Sequence, residues 1–201
     1  MFAQIIRGKV SDREAVRAGM DRWLTELAPT AIGWLGSTSG ITDDGQLFVM
    51  ARFESAEAAT SNSDRSEQGE WFAQMAKLYD GEPSFQDSTD VTVEAIGDLD
   101  SAGFVQVMSG QVSDPDRAKQ LMADQPDMRA LRPDVLGSVS IGHDEGRWTM
   151  VIYFTTEADA REGEQKQMPS EMMAAMQEMQ ALSVGETEFL DLKEPWLDSP
   201  S

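Results

Sequence analysis

Apolar residues recur along this chain with two periods, one for strands and one for helices. Phe2 to Val10 is apolar at odd and even positions alike, interrupted by the polar Gln4, Arg7 and Lys9. That pattern predicts a strand buried on both faces. Ser11-Asp12-Arg13-Glu14 then reads as a capping box with Ser11 as the cap. Val16, Met20, Trp23, Leu24 and Leu27 follow on one helical stripe, which Pro29 ends. Ile32 to Ser39 and Gln46 to Phe53 read as a hairpin closed through Thr42-Asp43-Asp44-Gly45. Ser55 caps a second helical region, the polar stretch Ser61 to Gly69 interrupts it, and Glu70 to Tyr79 resumes helical spacing. Asp80 to Ser88 reads as a turn-rich loop, and Asp90 to Ile96 alternates as a closing strand. The predicted order is β-α-β-β-α-β.

The chain then writes this pattern again. Phe2-Ala3-Gln4-Ile5-Ile6-Arg7-Gly8-Lys9-Val10-Ser11-Asp12 aligns without a gap on Phe104-Val105-Gln106-Val107-Met108-Ser109-Gly110-Gln111-Val112-Ser113-Asp114. Phe, Gln, Gly, Val, Ser and Asp are identical between the two. Leu136-Gly137-Ser138 answers Leu35-Gly36-Ser37, Gly146 answers Gly45 and Phe154 answers Phe53. Glu171, Ala174 and Met176 answer Glu70, Ala73 and Met75. A repeat this long has the size of a small domain rather than of a solenoid unit. The expected organisation is a first unit over 1–97, an acidic linker over 98–103, a second unit over 104–193 and a tail over 194–201, in which Trp196 packs. Pro126 is expected to break or kink the first helix of the second copy.

Composition narrows the partners. Hydrophobic residues are 40% of the 201, enough for packed cores and too many for general disorder. The formal charge of −20 repels phosphate backbones and anionic lipids, which argues against nucleic acid and membrane surfaces as partners. With no cysteine and one histidine, the chain has no thiolate nucleophile, no disulfide framework and no obvious transition-metal site, so no metal is expected. No apolar run reaches the roughly 20 residues of a membrane span, and the reading is a soluble cytoplasmic protein. Plentiful Arg, Ala, Gly and Asp point to a GC-rich bacterial genome.

A duplicated β-α-β-β-α-β unit of this size resembles the dimeric α+β barrel group, the antibiotic-biosynthesis-monooxygenase-like proteins. The resemblance covers nearly all of 1–193 and rests on element order and the repeat. It implies an α+β protein of two tandem ferredoxin-like units packed as a pseudo-dimeric barrel, hence a monomer with its dimer interface inside the chain. It also implies a cofactor-independent monooxygenase-like enzyme for a small aromatic or polyketide-like substrate, needing no metal, haem or flavin. A small-molecule binder or structural protein without catalysis is the alternative. The haem-degrading branch uses an Asn, a Trp and a His that fall here near Ile6 and Met108, near Asn62, and near Met75–Ala76 and Met176–Gln177. Each position lacks the residue type that it needs, with no Asn at the first, no Trp at the second and no His at the third, so haem cleavage is not expected.

Four residues are the candidate ligand-binding set: Gln4, Arg52, Trp71 and Phe72. Gln4 and its counterpart Gln106 are amides inside doubly buried strands, read either as structural hydrogen-bonding groups or as polar handles in a pocket. Arg52 and its counterpart Tyr153 interrupt apolar strands. The guanidinium can hold an enolate or carboxylate and the phenol can donate to a carbonyl, unless either side chain snorkels to a sheet edge. Trp71-Phe72 becomes Met172-Met173 in the second copy, so rigid aromatics beside a cation place the expected pocket in the first half. Met168, Met172, Met173, Met176 and Met179 read as core filling, with thioether ligation the alternative. His143, in the second hairpin turn, is expected to be solvated.

Overall fold

The structure is a computed structural model that describes residues 1–124, 131–167 and 169–200. The chain divides into two compact units, Met1–Val91 with Glu194–Ser201, and Thr92–Lys193. In the first unit the order is β1 (Phe2–Lys9), α1 (Arg13–Glu26), β2 (Trp34–Ile41), β3 (Gln46–Phe53), α2 (Ala56–Ser63), α3 (Ser66–Met75) and β4 (Ser84–Ser88). The second contains β5 (Val91–Ala95), β6 (Phe104–Val112), α4 (Pro115–Ala123), β7 (Val135–Gly142), β8 (Arg147–Phe154), α5 (Glu157–Glu164), α6 (Ser170–Leu182) and β9 (Ser183–Leu192). β10 (Trp196–Asp198) closes the chain and belongs to the first unit. Pro126 and Met168 lie outside the described residues.

The two sheets are alike. The first runs β10-β2-β3-β1-β4 and the second β5-β7-β8-β6-β9. β1 lies antiparallel between β3 and β4, with Gln4 opposite Ala51 and Asp87. β6 repeats this between β8 and β9, with Gln106 opposite Ile152 and Asp191. Each unit thus has the predicted β-α-β-β-α-β plan plus one further edge strand.

That edge strand changes the reading of two segments. The closing strand of the first copy is β4, inside the stretch read as a loop, while residues 91–95 pair in the second sheet beside β7. The Ile96 and Gly97 amides both donate to the Leu136 carbonyl, at 2.9 and 2.8 Å. The C-terminal residues form β10, which pairs with β2 through Trp196–Ser39, Leu197–Thr38 and Asp198–Ser37. Each sheet therefore takes its outer strand from the stretch of chain that follows the other repeat. Alternation alone marked 90–96 as a strand without saying which sheet it joins.

Both faces of the central strands are buried, as their unbroken apolar runs require. Leu47, Val49 and Phe53 face the helices, in one cluster with Val16 and Met75 and a second with Ala59. Ala3, Ile5, Phe48 and Met50, of the opposite parity, are at most 1% exposed. In the second unit Val105, Val107, Val139 and Val151 are equally buried on that parity, while Phe104 and Phe154 pack on Ala160 of α5. The helix caps lie one residue later than read. Asp12, not Ser11, accepts from the Ala15 amide at 2.9 Å, and Asp114 accepts from Arg117 at 3.0 Å. Ser55 caps α2 as expected, accepting from Ala58 at 3.2 Å.

The shared Gly8 and Gly110 of the repeat have a packing reason. A Cβ on Gly8 would stand 2.7 Å from Tyr79 Cε1, and one on Gly110 would stand 2.9 Å from the Trp148 ring. An aromatic ring lies against bare backbone in both units. Burial of that ring holds the Tyr79 phenol up at about 12, from an ordinary 10.0. The neutral phenol is therefore favoured by folding. This contribution is whole below pH 10 and is lost as pH rises from there through about 12. Gly8→Ala is expected to displace the ring, at a cost of about 1–3 kcal/mol, and to bring the Tyr79 titration back toward 10.0. Denaturant unfolding reads the cost and ultraviolet titration of the chain's two tyrosines reads the shift; an unmoved titration would show that the ring does not depend on Gly8.

Candidate functional site

The four residues singled out from the sequence do not line one cavity. Arg52 shares its parity on β3 with Phe48 and Met50, whereas Leu47, Val49, Ala51 and Phe53 face the helices. Trp71 and Phe72 stand on α3, on the helix side, so the first sheet lies between them and Arg52. Trp71 Nε1 donates to the Gly19 carbonyl at 2.8 Å, and its ring lies 6.4 Å from those of Trp23 and Phe72. Phe72 meets Phe85 of β4 edge to face at 5.6 Å. These aromatics join α3 to α1 and to the sheet. The exchange of Trp71-Phe72 for Met172-Met173 marks a difference in helix packing: Met172 is buried, while Met173 and Met176 are about half exposed.

Gln4 and Gln106 each hydrogen-bond to a carboxylate on the neighbouring strand. Gln4 Nε2 donates to Asp87 Oδ1 and Gln106 Nε2 to Asp191 Oδ1, each at 2.9 Å across paired strands. Asp191 is held as well by Arg161, whose guanidinium lies 5.2 Å over the Phe104 ring. The same Gln–Asp pair thus pins the same two strands in both units.

Arg52 is different. Its Nε is buried and meets no hydrogen-bond acceptor. It stands opposite Gly36 of β2, just after the register slips between Trp34 and Gly36. This bulge needs Gly36 because its φ is +129°, a region that residues with a side chain seldom enter. The missing side chain leaves room for three neighbours. A Cβ on Gly36 would lie 2.8 Å from the Asp198 carbonyl oxygen, 3.1 Å from Arg52 Nη2 and 3.2 Å from Ser199 Oγ. Strand, bulge and C-terminal segment therefore converge around one guanidinium. A cation held with an unused donor in a partly desolvated place can receive an anionic oxygen more strongly than one in water.

The second unit builds the same bulge with other chemistry. Gly137 stands opposite Tyr153, after an identical slip between Val135 and Gly137. There the neighbours are the Glu94 carbonyl, Ala95 and Leu99 Cδ2, the last 2.7 Å from a Cβ position. Tyr153 is fully buried. His143 is not loose at a turn tip as expected: its Nε2 lies 3.1 Å from Oγ1 of the buried Thr149, which is 3.4 Å from Ser109 Oγ.

A cavity of about 310 Å³ lies in the second unit, lined by Pro133, Asp134, Thr155, Asp159, Glu162 and Lys166. Its carboxylates are largely committed. Arg132 grips Asp134 at 2.7 Å while lying 5.6 Å over the Phe154 ring. The Thr156 and Thr155 hydroxyls, each 2.7 Å from Asp159 Oδ2, hold the Asp159 carboxyl below its ordinary value, against a small opposing effect of burial. Its polar lining does not suit an aromatic ligand. Among the described residues no group of three His, Asp or Glu side chains is placed to hold a metal ion. No described helix is long and apolar enough to cross a membrane.

No family model and no curated protein matches the chain. Solved structures do match. A putative monooxygenase from Fusobacterium nucleatum subsp. nucleatum superposes with a TM-score of 0.77 at 10% identity, covering 98% of this chain and 94% of its own. A putative monooxygenase from Lactobacillus acidophilus gives 0.71 at 12%, covering 98% of both chains. An anthrone oxidase-like protein gives 0.60 at 11%, covering 100% of this chain and 92% of its own. At these identities the likeness carries the fold alone. The chain therefore has the α+β fold of these putative monooxygenases, with the β-α-β-β-α-β unit written twice.

Proposed function

We propose that the chain is a cofactor-independent, monooxygenase-like enzyme that oxidises a small aromatic or polyketide-like substrate. The observation that carries this reading is the guanidinium of Arg52, whose buried Nε has no acceptor. In this chemistry an enolisable or phenolic substrate loses a proton, its anion passes electrons to dioxygen, and the resulting hydroperoxide expels water to leave a quinone. One oxygen atom enters the product and the other leaves as water. The protein's share is to desolvate the substrate and hold its anion, which a fixed cation does without reorganising. The name of one full-length structural neighbour, anthrone oxidase-like, supports a fused phenolic ring system as the substrate type. The strong negative charge of the chain favours capture of the neutral form, ionised only once it meets Arg52.

Oxygen uptake with dithranol, a dihydroxyanthrone, tests the reading. The wild-type protein is expected to speed uptake above the buffer rate. Arg52→Ala is expected to lower kcat/KM by on the order of a hundredfold or more, the scale for removing one preorganised donor, with Arg52→Lys in between. Binding of dithranol without oxygen uptake would make the chain a binding protein instead. Equal rates for wild type and Arg52→Ala would remove Arg52 from the site.

A further inference from the structure

We propose that the C-terminal segment completes an oxyanion site at Arg52, with the Ser199 hydroxyl as its second donor, and that the site takes up neutral phenols or enols and holds them as anions. This rests on the assignment of Arg52 above and adds a residue from the far end of the chain. β10 is hydrogen-bonded along β2 as far as Asp198–Ser37. The backbone beyond it therefore runs out over the bulge, and Ser199 Oγ comes to the same side of Gly36 as Arg52 Nη2, each within 3.2 Å of one point on it. Two donors, one of them charged, flank the bare backbone beside the Asp198 carbonyl oxygen, which lies 2.8 Å from the same point and can accept from the hydroxyl of a planar ligand before it ionises.

The repeat supplies an internal comparison. In the second unit the same bulge glycine faces Tyr153 and Leu99, where the first faces Arg52 and Ser199. Leu99 comes from the segment after β5, as Ser199 comes from the segment after β10. The architecture is shared, so the strand and the bulge do not themselves demand a cation or a hydroxyl. Only the first unit puts both donors there. Ser199 is exposed and caps no helix, so its placement stabilises nothing else that the structure describes.

Binding of para-nitrophenol is the test, because its colour separates phenol from phenolate. Bound to the wild-type protein, it is expected to ionise at lower pH than when free, since a neighbouring cation favours the charged form. Ser199→Ala, and separately Ser199→Gly, are expected to bind about tenfold more weakly, the scale of one hydrogen bond to a charged group. Both should keep the wild-type denaturant midpoint, because β10 remains. Arg52→Ala is expected to lose roughly a hundredfold and the shift in ionisation. If Arg52→Ala weakens binding while both C-terminal variants bind as wild type does, the Ser199 assignment is wrong and Arg52 stands alone. If Arg52→Ala binds unchanged, or the wild type binds no para-nitrophenol at millimolar concentration, both assignments fall.

Discussion

Replacing Gly137 by alanine is expected to destabilise the second unit by about 3 kcal/mol or more. The residue has a φ of +153°, and an added Cβ would collide with the Glu94 carbonyl oxygen and stand 2.7 Å from Leu99 Cδ2. Backbone strain of roughly 1–3 kcal/mol and overpacking of similar size both apply. The carbonyl belongs to β5, whose pairing with β7 continues through the Ile96 and Gly97 bonds to Leu136. Relief of the clash therefore means moving an entire strand. Hydrogen exchange should show residues 91–97 losing protection before the rest of the second sheet. Gly69→Ala in α3 is the control, since nothing lies within 4 Å of its Cβ position. That change is expected to be neutral or stabilising by about 0.4–1 kcal/mol. A Gly137→Ala protein as stable as this control would mean that β5 does not press on the bulge.

Removing residues 194–201 is expected to cost the first unit still more. The deletion strips β10 from the edge of β2 and takes Trp196 from the cluster of Val10, Val16, Ile41, Leu47, Val49 and Met75. It also leaves the Arg17 guanidinium without the ring that lies 5.0 Å from it. Truncating a fully buried Trp costs about 3–5 kcal/mol; Trp196 is partly buried and gives up a part of that, and three strand pairings go with it. The exposed β2 edge becomes a template for pairing with another chain. Trp23, Trp34 and Trp71 report on the first unit and Trp148 on the second, so single-tryptophan variants can follow each in denaturant. The first unit should unfold at lower denaturant than in the full chain, with the second affected less. Coincident, unshifted midpoints would show that the tail is an ornament on an already complete sheet.

These two experiments probe what the sequence left open. The eleven-residue repeat, the helical stripe from Val16 to Leu27 and the doubly apolar runs in β3 and β8 were enough to predict two α+β units and their β-α-β-β-α-β order, though not which segment closes the first. Local chemistry dictates these features: alternation, helical spacing and turn glycines act between near neighbours. The Gln–Asp pairs were half legible, since an amide in a doubly buried strand demands a partner, although not which one. The site was less so. Arg52 and Trp71 looked like companions because both distinguish the first copy, yet strand parity sends one to each side of the sheet.

Sequence by itself determined the duplication, the two sheets with their helices, and the acidic, cysteine-free character that narrows the chemistry. Only the tertiary structure decided which strand closes each sheet, because strand pairing is non-local and the short segments 91–95 and 196–198 carry no pattern that names a partner. Their exchange brings Ser199 beside Arg52, 147 residues away in the chain. A hydroxyl at the end of a polar tail has no signal of its own; its position depends on the register of β10 on β2 and on the space left by Gly36.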